Sequence, residues 1–109
     1  MNWNKYGAKK TTVDGITFAS KREAMRWCEL GIMAKAGVIE DLQRQVRFEI
    51  VGKTDKFRAR YYVADFVYRE NGKLVVEDAK GCRSGAAYQI FRLKQAIMYE
   101  KYGIYVKEV

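Results

Sequence analysis

Histidine is absent from this chain of 109 residues, and cysteine occurs only at Cys28 and Cys82. Without histidine, the usual proton shuttle at neutral pH and the commonest nitrogen ligand of zinc or copper are excluded. The two cysteines match no zinc-binding spacing and provide no disulfide framework, so we expect buried or idle thiols. Any bound metal ion would therefore have oxygen ligands.

Long hydrophobic runs are also missing. No segment is long or apolar enough to span a bilayer or to serve as a signal peptide, and we expect a soluble protein in the cytoplasm. A chain of this length can bury roughly two-thirds of its unfolded surface as one domain. We therefore predict a single domain over residues 1–109.

Acidic residues are scarce relative to basic ones, with 13 Asp and Glu against 21 Lys and Arg and a formal net charge of +8. A small protein this basic attracts polyanions, because binding releases their counterions. Nucleic acid is therefore the first partner to consider. The alternative, that surface lysines only keep the domain soluble, stays open on charge alone.

The apolar residues recur with periods that predict an order of helix, three strands, helix and strand. Residues 1–12 show no sustained period and are interpreted as a basic N-terminal arm, whereas Asp14-Gly15 indicates a small hairpin. A capping box at residues 20–23 predicts the start of the first helix. In chain order the predicted core elements are a helix over 21–35, a strand over 45–50, a hairpin over 61–81, a helix over 86–102 and a strand over 104–109.

Each predicted helix has one apolar stripe that we expect to face the core. In the first helix the stripe consists of Ala24, Trp27, Cys28, Gly31 and Ala34. In the second helix it consists of Ile90, Leu93 and Ile97.

The hairpin carries acids in strands that are otherwise apolar. Its two-residue Asn71-Gly72 turn fixes the register of the two strands. Counting outward from the turn, Phe66 faces Glu77 and Asp65 faces Asp78. Directly opposed residues have side-chain roots about 5 Å apart, so two aspartates are predicted to lie side by side.

Strand alternation then assigns the remaining hairpin residues to two faces. One face is predicted to carry Val63, Asp65, Val67, Leu74, Val76, Asp78 and Lys80. The other is predicted to carry Tyr62, Ala64, Phe66, Tyr68 and Glu77. If the register were shifted, Glu77 would be a metal ligand instead of Asp78. Strand alternation argues against this, because only Asp78 shares a face with both Asp65 and Lys80.

Opposed and partly buried carboxylates are unfavourable unless a positive charge compensates them. Lys80 can neutralise one charge, whereas a divalent cation bound by both carboxylates neutralises both. Oxygen ligands suit Mg²⁺ or Mn²⁺. Such an ion activates water and polarises a phosphodiester, and Lys80 would orient the attacking water or stabilise developing charge. The alternative is a surface salt-bridge cluster near a strand end, with Glu23 serving only in the capping box.

These residues resemble the motif of the PD-(D/E)xK nuclease superfamily, which has an acid on one strand and then an acid, any residue and lysine on the next. Asp65 matches the first acid, and Asp78-Ala79-Lys80 matches the rest. The proline that can precede the first acid is replaced by Ala64. The superfamily core has the element order predicted above. The resemblance implies the α/β class and a restriction-endonuclease-like αβββαβ core, with a mixed, mainly antiparallel sheet flanked by helices.

More narrowly, the chain resembles a family of small phage-encoded proteins similar to endonuclease I-type Holliday junction resolvases. This resemblance covers nearly the whole chain, through residues 5–7, 20–23, 45 and 48, 64–66 and 76–81. It implies metal-dependent DNA cleavage in phage recombination or processing in the bacterial host, with branched DNA among the candidate substrates. In such enzymes a Glu of the first helix often joins the metal site, and Glu23 is the best-placed candidate.

We expect DNA contacts from exposed polar and basic side chains near this site and from the N-terminal arm. The start of the second helix also offers free backbone N–H groups to a phosphate. The predicted DNA-binding residues are Lys5, Lys9, Lys10, Lys21, Arg22, Arg83, Ser84, Tyr88, Gln89 and Arg92. For each of them a solvated surface position is the alternative, and Tyr88 could equally pack against the sheet.

Taken together, the residues and the resemblance predict a Mg²⁺-dependent endodeoxyribonuclease, in which Mn²⁺ can replace Mg²⁺. Asp65, Asp78 and Glu23 are predicted to hold the metal, and Lys80 to position the nucleophile. Cutting both DNA strands needs two sites, so we expect a homodimer. Two alternatives stay open, namely a non-catalytic nucleic-acid-binding module of the same fold and a structural or virion protein with a charged hairpin.

Overall fold

The computed structural model describes residues 10–109, which form two helices and six strands. The elements are β1 (Thr11–Val13), β2 (Ile16–Phe18), α1 (Lys21–Lys35), β3 (Glu40–Val51), β4 (Arg60–Glu70), β5 (Lys73–Asp78), α2 (Gly85–Tyr102) and β6 (Lys107–Glu108). From α1 onwards the order is helix, three strands, helix and strand, as predicted. The small hairpin expected around Asp14-Gly15 is also present, as β1 and β2.

Four strands form the main sheet, in the order β3-β4-β5-β6. β3, β4 and β5 pair antiparallel, whereas β6 runs parallel to β5, so the predicted mixed and mainly antiparallel sheet is confirmed. Phe66 of β4 packs in a cluster with Leu30 of α1, and Val67 packs in a cluster with Phe91 of α2. Because neighbouring strand residues point to opposite faces, the two helices flank the sheet on opposite sides.

The two ends of the described chain differ from the prediction. β1 begins at Thr11, so the last two residues of the predicted arm belong to a strand. Lys5 and Lys9 lie outside the described residues. The final strand is limited to Lys107–Glu108, because its ladder runs only along Glu77 and Asp78, where β5 ends.

Helix α1 begins where the Ser20 hydroxyl accepts a hydrogen bond from the Glu23 backbone N–H at 3.1 Å, as its capping box predicts. Its buried face carries Leu30 and, at the edge, Trp27, whose ring centroid lies 6.1 Å from that of Phe66. Cys28 is exposed. Its predicted place in the buried stripe is wrong, because the helical rotation from Trp27 turns Cys28 away from the sheet.

Helix α2 buries a face that is shifted from the predicted stripe, of which only Ile97 packs partly against the core. Ile90 and Leu93 are 56% and 62% exposed, whereas Phe91, Gln95 and Met98 are buried. Gln95 is accommodated in the core because its Nε2 donates to the Val106 backbone carbonyl at 2.7 Å. A polar residue with a satisfied hydrogen bond thus occupies the centre of the buried face, which an apolar stripe does not predict.

The β4–β5 turn has the backbone that its sequence demands. Asn71 and Gly72 both have positive φ, at 54° and 76°, as a tight two-residue hairpin turn requires. The ladder runs from Glu70–Lys73 to Phe66–Glu77 without a shift. The predicted hairpin register is therefore confirmed.

Substitution of Gly72 and of Gly31 by alanine is expected to change the free energy of unfolding in opposite directions. No atom lies within 4 Å of the added methyl group at either position, so packing contributes little. Gly72 has φ +76°, where an L-residue is strained, and Gly72→Ala is expected to destabilise the fold by about 1 kcal/mol. Gly31 lies inside α1, where alanine is favoured by about 0.5–1 kcal/mol. Urea denaturation measures both values, and equal signs would contradict this account.

Candidate active site

The candidate site lies where β4 leaves its pairing with β5. Asp65 and Asp78 are the next residues beyond the last ladder pair, Phe66–Glu77. Their carboxyl groups are close enough for a protonated Asp78 to donate a hydrogen bond to Asp65. The turn register thus brings the two acids together, as the sequence predicts.

Strand β3 is distorted beside Asp65. Gln45 has φ +52°, an uncommon conformation for a residue other than glycine, and it lies opposite Asp65. Its amide Nε2 donates to Asp65 Oδ1 at 3.3 Å. The cluster against α2 contains Val67 from one side of this point but Ala64 from the other. Along β4, even-numbered residues therefore face α2 before Asp65, and an odd-numbered residue, Val67, faces it after Asp65.

This change corrects the predicted position of Tyr62. Strict alternation predicts that Tyr62 lies on the face opposite Asp78, but its hydroxyl donates to Asp78 Oδ2 at 2.7 Å. Val63 and Leu74, two apolar residues that were predicted to share a face with the acids, are each 42% exposed. The sequence contains no glycine or proline that marks the distortion, so Tyr62 was missed as a site residue.

Asp65 and Lys80 are both held by contacts within the site. Asp65 Oδ2 accepts a hydrogen bond from the Ala79 backbone N–H at 2.9 Å, which ties β4 to the chain after β5. The Lys80 Nζ lies 3.3 Å from Asp78 Oδ1 and 4.1 Å from the centroid of the Phe91 ring. The ammonium group therefore approaches the carboxylate oxygen of Asp78 that is not bonded by the Tyr62 hydroxyl.

Glu23 reaches the site from the first turn of α1. It is 6% exposed, and its carboxyl group is close enough for a protonated Asp65 to donate a hydrogen bond to it. Arg44 approaches it with Nη2 3.9 Å from Glu23 Oε2, while the guanidinium lies 4.6 Å from the Phe18 ring centroid. Arg44 Nε is buried and has no hydrogen-bond partner within the described residues. Arg44 was not predicted, because nothing in its sequence context distinguishes it from a surface arginine on β3.

Burial and mutual repulsion oppose the full ionisation of the acidic group, which consists of Asp65, Asp78 and Glu23. Burial, reinforced by the charge of Asp65, raises the pKa of Asp78 to about 6, although Tyr62 and Lys80 oppose the rise. Burial also raises the pKa of Asp65, against the hydrogen bond from Ala79 and together with the charge of Glu23. The Tyr62 pKa is raised by burial and by the neighbouring Asp78 charge. The group therefore carries negative charge that the described cations leave partly uncompensated.

The donor set suits a hard divalent cation, since it consists of carboxylate oxygens and excess negative charge. Among residues 10–109, however, no group of three or more Asp, Glu, Cys or His side chains is arranged to hold a metal ion. The acids predicted to hold the metal are therefore arranged as two adjacent carboxylates with Glu23 beside Asp65. They do not form a complete set of three ligands.

Glu77 has a separate structural role on the other face of β5. It is fully buried, and its oxygens accept hydrogen bonds from Arg26 Nε at 2.8 Å, from Arg26 Nη2 at 2.7 Å and from the Tyr68 hydroxyl. Burial alone would raise the Glu77 pKa, but Arg26 and Tyr68 outweigh it and lower the pKa. Glu77 faces Arg26 of α1, as alternation predicts for this residue, and it joins α1 to β5.

The predicted DNA-binding residues at the start of α2 converge on an acid of β6. Glu108 Oε1 accepts from the Tyr88 hydroxyl at 2.8 Å and from Arg83 Nε at 3.1 Å, and Arg92 Nη1 lies 3.6 Å from Oε2. Arg83 and Arg92 keep about half of their side-chain surface exposed. Ser84 is the N-cap residue of α2 and makes no side-chain capping bond.

The remaining predicted DNA-binding residues within the described part of the chain are exposed. They are Lys10, Lys21, Arg22 and Gln89. Arg22 also donates from Nε to the Val109 backbone carbonyl at 2.8 Å, which joins the start of α1 to the end of the chain. Lys21 and Arg22 directly precede Glu23 in the first turn of α1.

The described residues thus form an α/β domain whose mixed sheet carries an acidic pair, one acid buried and the other half-buried, next to a lysine. The chain belongs to the family described as "Protein of unknown function (DUF1064)", whose profile matches residues 3–107. No curated protein and no solved structure matches the chain. Neither of the described helices is long and apolar enough to cross a membrane.

Proposed function

We propose that this protein is a Mg²⁺-dependent DNA endonuclease that hydrolyses phosphodiester bonds. The observation that carries the proposal is the pair of buried Asp78 and half-buried Asp65, joined by Glu23 and flanked by Lys80. Such a group is costly for folding, and costly polar arrangements of this kind cluster at functional sites. The resemblance to the PD-(D/E)xK nuclease superfamily adds the same assignment for Asp65, Asp78 and Lys80.

The proposed roles follow from the position of each side chain. Asp65 and Asp78 would hold Mg²⁺ or Mn²⁺ with assistance from Glu23, and the ion would supply Lewis-acid activation of phosphate and water. Lys80, held 3.3 Å from Asp78, donates a hydrogen bond to the attacking water or to the developing negative charge. Tyr62 and Gln45 fix the orientation of the two aspartates through their hydrogen bonds.

The cellular setting is also part of the proposal. The narrower resemblance favours a phage or prophage protein that acts in DNA recombination or processing in the cytoplasm of the bacterial host, with branched DNA among its substrates. A homodimer would present one site to each of two strands, because a two-fold axis relates two identical sites. The formal charge of +8 is consistent with a polyanionic substrate.

The alternative is a nucleic-acid-binding module of the same fold that does not cleave DNA. The incomplete set of metal ligands within the described residues is the observation that favours it. This alternative expects DNA binding that is independent of Mg²⁺ and unchanged by substitution of Asp65 or Asp78. A structural or virion protein, in contrast, expects no salt-dependent DNA binding.

Lys80→Met is expected to lower the cleavage rate by about 100-fold or more while the protein stays folded, because it removes the ammonium group and keeps a chain of similar length. The assay incubates the full chain with labelled linear duplex and with a four-way junction, in Mg²⁺ and in EDTA. Lys73→Met is the matched control, since Lys73 is exposed at the opposite end of β5. Absence of Mg²⁺-dependent cleavage of both substrates by the folded wild-type protein would refute the proposed activity.

A further inference from the structure

The β3–β4 hairpin extends past the sheet as a two-stranded ribbon on one side of the candidate site. β4 pairs with β5 only from Phe66 to Glu70, whereas it pairs with β3 as far as Arg60. Residues 60–64 therefore have β3 as their sole ladder partner within residues 10–109. Five residues of strand span roughly 17 Å, so the tip of this ribbon lies about that far from Asp65.

One face of this ribbon is covered by α2 and the other is open. On the covered face, the Tyr102 hydroxyl donates to the Glu49 carbonyl at 2.6 Å, and the Phe48 and Tyr102 rings lie 6.0 Å apart. On the open face, the Arg47 guanidinium lies 4.1 Å from the centroid of the Tyr61 ring, and both residues are exposed. The ribbon is thus a supported element with a free cationic and aromatic face.

The ribbon and its loop are strongly cationic. Residues 47–61 contain five basic residues against two acids, Glu49 and Asp55. The basic residues are Arg47, Lys53, Lys56, Arg58 and Arg60. All five are exposed, and none of them forms an ion pair with another described residue. This differs from the predicted DNA-binding residues Arg83 and Arg92, whose charges are partly neutralised by Glu108.

The loop presents one large apolar side chain between two of these cations. Phe57 is 63% exposed and follows Lys56 and precedes Arg58. The loop is closed by Thr54, whose hydroxyl accepts hydrogen bonds from the N–H groups of Lys56 and Phe57 at 3.2 and 3.0 Å. The Thr54 N–H in turn donates to the Phe57 carbonyl at 2.8 Å. The loop therefore holds the Phe57 ring out in solvent instead of burying it.

We propose that residues 52–59 are a nucleic-acid contact in which Lys56 and Arg58 bind phosphates and Phe57 stacks on an unpaired base. Stacking needs an exposed base face, which single strands and branch points offer and continuous duplex does not. The preferred partner is therefore DNA with unpaired bases next to the site of cleavage. The inference rests on the proposed function for its choice of DNA, but the contact can be tested without cleavage.

The test measures affinity by fluorescence anisotropy in EDTA, using the full chain with a labelled 20-nucleotide thymidine strand, a four-way junction and a 20-base-pair duplex. Phe57→Ala is expected to weaken binding to the single strand and the junction about tenfold, and to leave the weaker duplex binding nearly unchanged. Tyr105→Ala is the matched control, because Tyr105 is 62% exposed beside β6, at the opposite edge of the sheet. It is expected to bind like the wild type.

Two further variants examine the stacking and the charge separately. Phe57→Trp is expected to retain affinity and to show quenched tryptophan emission when the thymidine strand is added. The double variant Lys56→Gln with Arg58→Gln is expected to reduce the salt dependence of single-strand binding, with a slope smaller by about 0.7 for each lost phosphate contact. The double variant Arg69→Gln with Lys73→Gln, which also removes two exposed positive charges, is the charge-matched control at the other hairpin turn.

The outcomes separate this inference from the proposed nuclease activity. Binding that depends on Phe57, in a protein that never cleaves DNA with Mg²⁺, supports the contact and removes the activity. Wild-type affinity in Phe57→Ala, or a wild-type preference for duplex, overturns the contact even if cleavage is observed. If Phe57→Ala changes the oligomeric state but not the affinity for nucleic acid, the loop belongs to a protein interface. That result would also overturn the proposed contact. A protein that binds none of the three nucleic acids removes both proposals.

Discussion

Asp78→Asn is expected to make the metal-free protein more stable at pH 8 and to lower Mg²⁺-dependent cleavage on the order of 1000-fold. The Asp78 carboxylate is buried beside Asp65, and asparagine removes its charge while its amide can donate to the Asp65 carboxylate. Because its pKa is raised to about 6, ionisation of Asp78 disfavours the folded state. Removal of this charge by asparagine is expected to increase the free energy of unfolding by about 1–2 kcal/mol.

The gain in stability is expected to depend on pH with a defined sign. The Asp78 pKa rises from 3.8 in the unfolded chain to about 6 in the fold, so the folded state binds more protons between these values. The stability due to this group is fully present below about pH 3.8 and is lost as the pH rises through about 6. Asp78→Asn should therefore exceed the wild type at pH 8 and lose that advantage at pH 4.

Thermal unfolding at both pH values, with and without Mg²⁺, measures these effects. Mg²⁺ at ten times its dissociation constant should stabilise the wild type by about 1.4 kcal/mol and have much less effect on Asp78→Asn. Asp41→Asn is the matched control, because Asp41 is exposed and makes no ion pair within the described residues. A destabilised Asp78→Asn variant that still cleaves DNA would show that the acidic pair is structural.

Arg26→Met is expected to destabilise the fold by about 3 kcal/mol. The substitution leaves Glu77 fully buried without its guanidinium partner, and only the Tyr68 hydroxyl remains as a donor. A buried charge that loses its partner costs far more than an exposed pair. Chemical denaturation measures the loss, and Glu29→Gln is the control, because the exposed Arg26–Glu29 pair is expected to contribute less than about 1 kcal/mol.

The penalty of Arg26→Met should also vary with pH. In the wild type the Glu77 pKa is lowered, so its contribution to stability is present above its usual value and is lost as the pH falls through the lowered pKa. In the variant, Glu77 can escape its unpaired charge by taking up a proton in acid. The difference in stability between the two proteins should therefore shrink from pH 8 to pH 4. A variant within 1 kcal/mol of the wild type at pH 8 would contradict the assigned role of Glu77.

The hairpin shows how far local sequence determines the candidate site. Asn71-Gly72 permits one tight turn, and that turn determines the register that brings Asp65 next to Asp78. The capping box of α1 likewise determined where that helix begins and placed Glu23 in its first turn. These features depend on neighbours within a few residues, which is why they could be predicted.

The surroundings of the acids could not be predicted in the same way. Tyr62 reaches Asp78 only because the alternation of side chains between the two faces of β4 is interrupted at Asp65. This interruption lies beside Gln45, which has a positive φ. The buried face of α2 was also mispredicted, since Gln95 is buried through its hydrogen bond to Val106. Each of these contacts joins segments that are distant in the chain, and no periodic pattern encodes them.

The amino-acid sequence by itself determined the order of the elements, the register of the β4–β5 hairpin and the adjacency of Asp65 and Asp78. These depend on backbone conformations that a glycine, an asparagine or a capping serine imposes locally. Only the tertiary structure decided which groups surround the two acids and which charges are neutralised: Tyr62, Gln45, Glu23 and Lys80 at the site, and Arg26 with Glu77 behind it. The physical reason is that burial and pairing of charges depend on packing between elements, which the chain acquires only when the two helices close on the sheet.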